Sequence, residues 1–172
     1  MDAIYRFKGV TLLELLAVLS IVSVLVAMAV PGFQSLIESN RAKVVRQQMQ
    51  GLLNEARSYA LKRSEVVTIC HLADDNRCAA NFNFPLTMFV DNDRGAILTD
   101  GSDVLRVLDM TLPDHLEMDW NRNGYIRYWP SGGTGALTGS LRFCNRFEDR
   151  NDFRIVIART GRTRIEFDDT RC

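Results

Sequence analysis

Four groups of residues have types and spacings that could carry chemistry. The first is the basic segment Phe153–Phe167, two strand-like runs joined at Thr160-Gly161, with Arg159, Arg162 and Arg164 around the turn. Period-two alternation puts Thr163, Ile165 and Phe167 on one face and Arg162, Arg164 and Glu166 on the other, so three guanidiniums can gather at an exposed tip. Guanidinium forks suit phosphate oxygens. Three such contacts would give weak, salt-sensitive, sequence-blind binding, which repeated copies strengthen by avidity. Glu166, Asp168 and Asp169 dilute that potential. The second group is Cys70, Cys78, Cys144 and Cys172, which allow three disulfide pairings. With His71 they also offer zinc-ligand types, but the spacing matches no finger or ribbon, so no metal is expected. The third, Asp91-Asn92-Asp93-Arg94-Gly95, has a faint likeness to a calcium loop. It lacks an oxygen ligand where Arg94-Gly95 stands and has no distal Glu, so a β-turn is expected. The fourth is catalytic: His71 and His115 sit in no nucleophile or metal motif, and Ser131-Gly132-Gly133 lacks the G-x-S-x-G pattern. No active site is found, so the expectation is a protein that is not an enzyme and needs no cofactor.

These groups must be positioned by a chain of 172 residues, room for one globular unit plus an appendage. At 47% apolar and 24% charged residues, whole-chain disorder is excluded. The formal charge is zero, from 21 Lys+Arg against 21 Asp+Glu, which excludes a uniformly basic protein. The balance hides a split: residues 64–121 sum to −8, while residues 1–63 and 122–172 each sum to +4. Val45, Met49, Leu52, Ala56 and Tyr59 recur at helical spacing, with Arg41, Lys43, Arg46, Gln47, Gln48, Asn54, Arg57 and Ser58 on polar faces. One long helix from Val10 to Arg63 is expected. After Ser64 short strands follow at Val66–Cys70, Leu86–Val90, Val104–Leu108, Leu116–Trp120, Tyr125–Trp129, Leu137–Cys144, Phe153–Arg159 and Arg162–Phe167. Residues 121–124 and Thr160-Gly161 read as hairpin links, and Ser131–Gly135 as a flexible loop. The fold class is α+β, a long N-terminal helix packed through its C-terminal half on antiparallel sheet.

The N-terminus sets the class. Leu15–Ile37 is 23 residues without a charge, about 34 Å as a helix against a bilayer core of about 30 Å. Arg6 and Lys8 precede it and hold the N-terminus in the cytoplasm. Ala27-Met28-Ala29 offers the alternative of a cleaved signal peptide and a secreted protein. Glu14 argues for a retained anchor, because a carboxylate in an apolar helix costs about 2.5–3.5 kcal/mol and marks a role unless it snorkels to the interface. Pro31 removes a backbone hydrogen bond and should kink or locally melt the helix, or simply bend it at the membrane exit.

Lys8-Gly9-Val10-Thr11-Leu12-Leu13-Glu14-Leu15-Leu16 resembles the processing site of type IV pilins and pseudopilins. The resemblance implies cleavage after Gly9 by prepilin peptidase, N-methylation of Val10, and Glu14 and Pro31 at the family's assembly positions. Val10 departs from the Phe that usually follows the cut. In such a filament Glu14 can pair with the Val10 amine of a neighbouring subunit in a low-dielectric core. Cys70…Asp75…Cys78, Phe89-Val90-Asp91…Gly95 and Thr160–Arg164 are similar to the GspH/FimT/FimU branch of minor pilins and secretion pseudopilins. The usual tryptophan and glycine before Phe89 are replaced by the Phe82–Leu86 region. The implied layout is a leader at 1–9, a transmembrane and assembly helix at 10–37, its amphipathic half at 38–63, and a β-rich periplasmic head at 64–172. Beyond the inner membrane the compartment is oxidising. Cys70–Cys78, closing a short hairpin, and Cys144–Cys172, pinning the C-terminus, are then favoured over the other two pairings. The implied partners are other minor and major pilins, prepilin peptidase, the inner membrane and an assembly platform. In the FimT type a Gly-Arg-x-Arg tail motif, here Gly161, Arg162 and Arg164 with Arg159 beside it, is linked to DNA capture in natural transformation. The expected role is a structural subunit of a priming or tip complex, with DNA as a further partner. The alternative is a type II secretion pseudopilin that contacts exported proteins.

Overall fold

The structure, a computed structural model, describes residues 11–113, 116–122, 124–145 and 152–167. The side chains of 28–32, 34, 35 and 145 lie outside that description. Contacts divide the chain into two compact units, Met1–Asn40 and Arg41–Cys172. Helix α1 spans Leu12–Arg63, and its helical backbone continues through Pro31 without local melting.

Within the second unit, the expected apolar stripe of α1 is buried. Val45, Met49, Leu52 and Ala56 lie inside, joined by Leu53 and Ala60, with Tyr59 packed at the margin. The strands are β1 Val67–Cys70, β2 Leu86–Val90, β3 Val104–Leu108, β4 Leu116–Trp120, β5 Tyr125–Tyr128, β6 Gly139–Asn145, β7 Phe153–Ile157 and β8 Thr163–Phe167. They form two four-stranded sheets, β3-β2-β1-β5 and β4-β6-β7-β8, antiparallel throughout. Alternation decides what each sheet buries. In β7, Phe153, Ile155 and Ile157 enter the core shared with α1, while Arg154 and Val156 face outward. In β1 all four residues are buried, Val67 and Ile69 in that core and Thr68 and Cys70 on the opposite face by period two.

Two expectations about links need correction. Residues 121–124 are not a hairpin, because β4 and β5 belong to different sheets and the link crosses between them. Its composition marks a turn, but pairing is decided by distant strands: β5 is held by β1 and β4 by β6. Ser131–Gly135 is a packed, hydrogen-bonded loop with Gly132 and Thr134 buried, as described below.

Gly51 lies mid-helix, exposed, with nothing within 4 Å of where a Cβ would project. Gly51→Ala is therefore expected to stabilise by about 0.5–1 kcal/mol, because it removes backbone freedom from the unfolded chain at no steric cost. A shift of the urea midpoint to higher concentration at unchanged slope would show it; a lower midpoint would mean the position is occupied by something else.

Candidate functional site

The basic hairpin forms as its sequence requires. Strands β7 and β8 pair with Phe153 opposite Phe167 and Ile157 opposite Thr163. The turn closes through Ala158 N–H to the Arg162 carbonyl at 3.0 Å and Gly161 N–H to the Ala158 carbonyl at 2.8 Å. Gly161 has φ +75°, a left-handed value, and a Cβ there would sit 1.9 Å from the Gly132 carbonyl oxygen. The glycine is thus demanded twice, by the turn and by the Ser131–Gly135 loop seated on it. That loop donates to the hairpin from Thr134, whose N–H bonds the Arg159 carbonyl and whose hydroxyl bonds the Ala158 carbonyl, both at 3.1 Å.

The three arginines do not gather at one tip. Arg164 Nε donates to Glu166 at 2.5 Å, and Arg154 holds the same carboxylate at 2.7 Å. These hydrogen bonds, Arg164's first, hold the Glu166 carboxyl below its ordinary range. Arg164, with Arg154, Arg122 and Glu166, lines one recess. Arg159 and Arg162 line another with Arg57 of α1, Ser131, Gly133 and Thr160. Arg57, one of several residues on a polar helix face by spacing alone, is carried by the fold to the hairpin. The separation arises because Glu166, opposite Arg154 in the β7–β8 register, captures Arg164.

The remaining candidates resolve into structure. Cys70 and Cys78 form a disulfide, and Cys144 is disulfide-bonded; Cys172 lies outside the described residues. His71 Nδ1 is 3.1 Å from the Pro85 carbonyl, and among the described residues no cluster of His, Cys, Asp or Glu could hold a metal ion. His115, Asp168 and Asp169 also fall outside the described residues. Asp91-Asn92-Asp93-Arg94 makes a turn, with Arg94 N–H donating to the Asp91 carbonyl at 3.1 Å. The Asp91 side chain turns inward instead, to a partner that no local pattern discloses. Its Oδ2 accepts from Arg127 Nη2 and Thr68 Oγ1, each at 2.6 Å, and Arg127 also donates to Thr68 Oγ1 and the Arg94 carbonyl. This ion pair is 8% and 1% exposed, so neither charge meets water. Tyr128, packed under the hairpin turn, keeps its hydroxyl buried without a hydrogen-bond partner among the described residues, and burial pushes it far above its ordinary pKa.

At the other end of the chain, Thr11 precedes the first turn of α1 and its hydroxyl accepts from the Glu14 N–H at 3.3 Å. Thr11-x-x-Glu14 is thus a capping arrangement, and the Glu14 carboxylate sits at the positive end of the helix dipole. Glu14 has no ion-pair partner among the described residues, and residues 11–27 are exposed on every side. Gly9 and Val10 lie outside the described residues. Among the described residues no helix is long and apolar enough to cross a membrane. Leu12–Ala27, the unbroken run of described side chains at the start of α1, rises about 24 Å, short of a core of about 30 Å.

A family model described as type II transport protein GspH matches residues 46–161. The chain belongs to the GspH family. A second model, the prokaryotic N-terminal methylation motif, matches residues 4–30 and so covers Gly9, Val10 and Glu14 but not Pro31. The two crystal forms of the type IV minor pilin FimU from Pseudomonas aeruginosa PAO1 are similar in fold. One has a TM-score of 0.51 at 16% identity over 74% of this chain and 89% of FimU. The other has a TM-score of 0.48 at 14% identity over 72% and 91%. Comparison with curated proteins finds no match. The expected α+β pilin-like fold is therefore present, and the chain is a pilin of the GspH/FimT/FimU type. The GspH match ends at Gly161, so Arg162 and Arg164 lie beyond it.

Proposed function

We propose that this GspH-family chain is a minor pilin or pseudopilin subunit, cut after Gly9 by prepilin peptidase, methylated on Val10 and held in the inner membrane by residues 10–37. From there an assembly platform builds it, with other minor and major pilins, into a priming or tip complex, its head at 64–172 in the periplasm. One observation carries the reading: residues 11–27 of α1 are exposed all round and apolar apart from Thr11, Ser20, Ser23 and the single charge of Glu14. A helix apolar on all sides needs a membrane or a bundle of like helices to cover it. In such a bundle Glu14 requires a counter-charge, which the Val10 amine of a neighbour supplies. Pro31, beyond that segment, removes one backbone hydrogen bond from the helix. The matched family, type II transport protein GspH, supports the alternative of type II secretion, in which the head contacts exported proteins.

Glu14→Val is expected to remain in the membrane fraction while its share of sheared filaments falls about tenfold or more, the effect of about 1.4 kcal/mol in packing equilibrium. Incorporation at the wild-type level would remove Glu14 from assembly. Recovery of the wild type from surface pili, or instead a block in protein export when it is deleted, distinguishes pilus from secretion machine.

A second reading, DNA capture by the hairpin, is favoured by one observation. Arg159 and Arg162 are exposed and lack a carboxylate partner among the described residues.

A further inference from the structure

Five arginines of the head sit in ion pairs among the described residues. Arg127 pairs with Asp91, Arg106 with Glu55, Arg77 with Asp75, and Arg154 and Arg164 with Glu166. Several other arginines lack a carboxylate partner among the described residues, but Arg57, Arg159 and Arg162 converge: all three line one recess of about 520 Å³ into which no acid projects. Two of them are aimed. Arg57 Nε donates to the Gly132 carbonyl at 3.0 Å and Arg159 Nε to the Gly135 carbonyl at 3.4 Å. The glycine-rich loop therefore accepts one Nε–H from each fork, and their terminal nitrogens make no hydrogen bond to a described residue. Ser131 and Thr160 add hydroxyls to its lining.

We propose that Arg57, Arg159 and Arg162 form a seat for a phosphate oxyanion, with Arg57 as its helix-borne member and Arg164 outside it. Three guanidiniums and two hydroxyls offer more donors than the two oxygens of a carboxylate can accept, whereas a tetrahedral phosphate presents acceptors in several directions. Fixed forks lose little side-chain freedom on binding. Arg164 is already bonded to the Glu166 carboxylate, which it shares with Arg154. The seat deepens the DNA-capture reading and rests on it for its macromolecular ligand; free phosphate is the other source of the same chemistry.

The test uses the full chain in non-ionic detergent, with two probes: a labelled DNA duplex followed by anisotropy at low salt, and inorganic phosphate followed by thermal unfolding against chloride of equal ionic strength. Expected are salt-sensitive duplex binding, weakened about fivefold or more by Arg162→Gln and by Arg57→Gln, and less by Arg164→Gln. Arg77→Gln serves as the surface control. Phosphate should raise the melting temperature of the wild type by about 2 °C or more, and that of Arg162→Gln by less. Arg162 makes no side-chain bond to a described residue, so its variant keeps the test valid if Arg57→Gln fails to fold. Duplex binding that depends on Arg164 and not on Arg57 or Arg162 overturns the seat while leaving DNA capture intact. Phosphate stabilisation that needs Arg162, without duplex binding, removes DNA capture and leaves the seat. Absence of both responses overturns both.

Discussion

Arg127→Ala is expected to destabilise the folded head by about 3–5 kcal/mol, the cost of leaving a buried charge without its partner. The Asp91 carboxylate is 1% exposed and has Arg127 as its counter-charge, with Thr68 and the Ala96 N–H bonding the same oxygen, Oδ2. The other oxygen, Oδ1, has no partner among the described residues, so removing the guanidinium leaves the carboxylate only its two neutral donors on Oδ2. Replacing both partners, as in Asp91→Leu/Arg127→Leu, should recover much of the loss, because a buried ion pair often holds little net advantage over an apolar pair. Urea unfolding of the full chain in detergent reads both values. A loss below about 1 kcal/mol for Arg127→Ala would mean that water reaches Asp91.

Gly161→Val should cost about 3 kcal/mol or more, lowering the melting temperature by roughly 6–12 °C. A left-handed φ of +75° is strained for any side chain and most for a β-branched one. The new Cβ would also lie 1.9 Å from the Gly132 carbonyl oxygen, which is backbone and cannot swing aside. That carbonyl also holds Arg57 Nε, so the same substitution should weaken phosphate and duplex binding together. Wild-type stability in this variant would show that the turn can re-form elsewhere. Gly161 thus belongs to the Gly-Arg-x-Arg signature for the backbone's sake; no ligand contact is needed to explain it.

Which features the sequence disclosed follows from how local they are. The α1 stripe and all eight strands were readable because periods of 3.6 and 2 are written in neighbouring residues. The strand ends shifted where a turn captured a terminal residue: Trp129 leaves β5 because its N–H bonds the Gly133 carbonyl. The Asp91–Arg127 pair was not readable. Asp91 sits in a turn-rich run, Arg127 alternates correctly in a strand, and their meeting depends on β1 pairing with both β2 and β5. The recess was half legible. Arg159 and Arg162 were visible as a basic hairpin, but Arg57 lay among several polar helix residues that nothing local distinguishes. Thr11 was part of the quoted processing motif, while its role as a helix cap came from the geometry of the first turn.

The order β3-β2-β1-β5 has a consequence for how the head is reached from an extended chain. Strands β1 to β3 are consecutive and close through the connections 71–85 and 91–103, whereas the open side of β1 waits for β5, more than fifty residues later, beyond a strand that belongs to the other sheet. Until then Val67-Thr68-Ile69-Cys70 presents an unpaired apolar edge, the kind of surface that recruits foreign strands. The strand that seals this edge also delivers Arg127 to Asp91, so closing the sheet and neutralising its buried charge are one non-local event, of the kind that forms slowly.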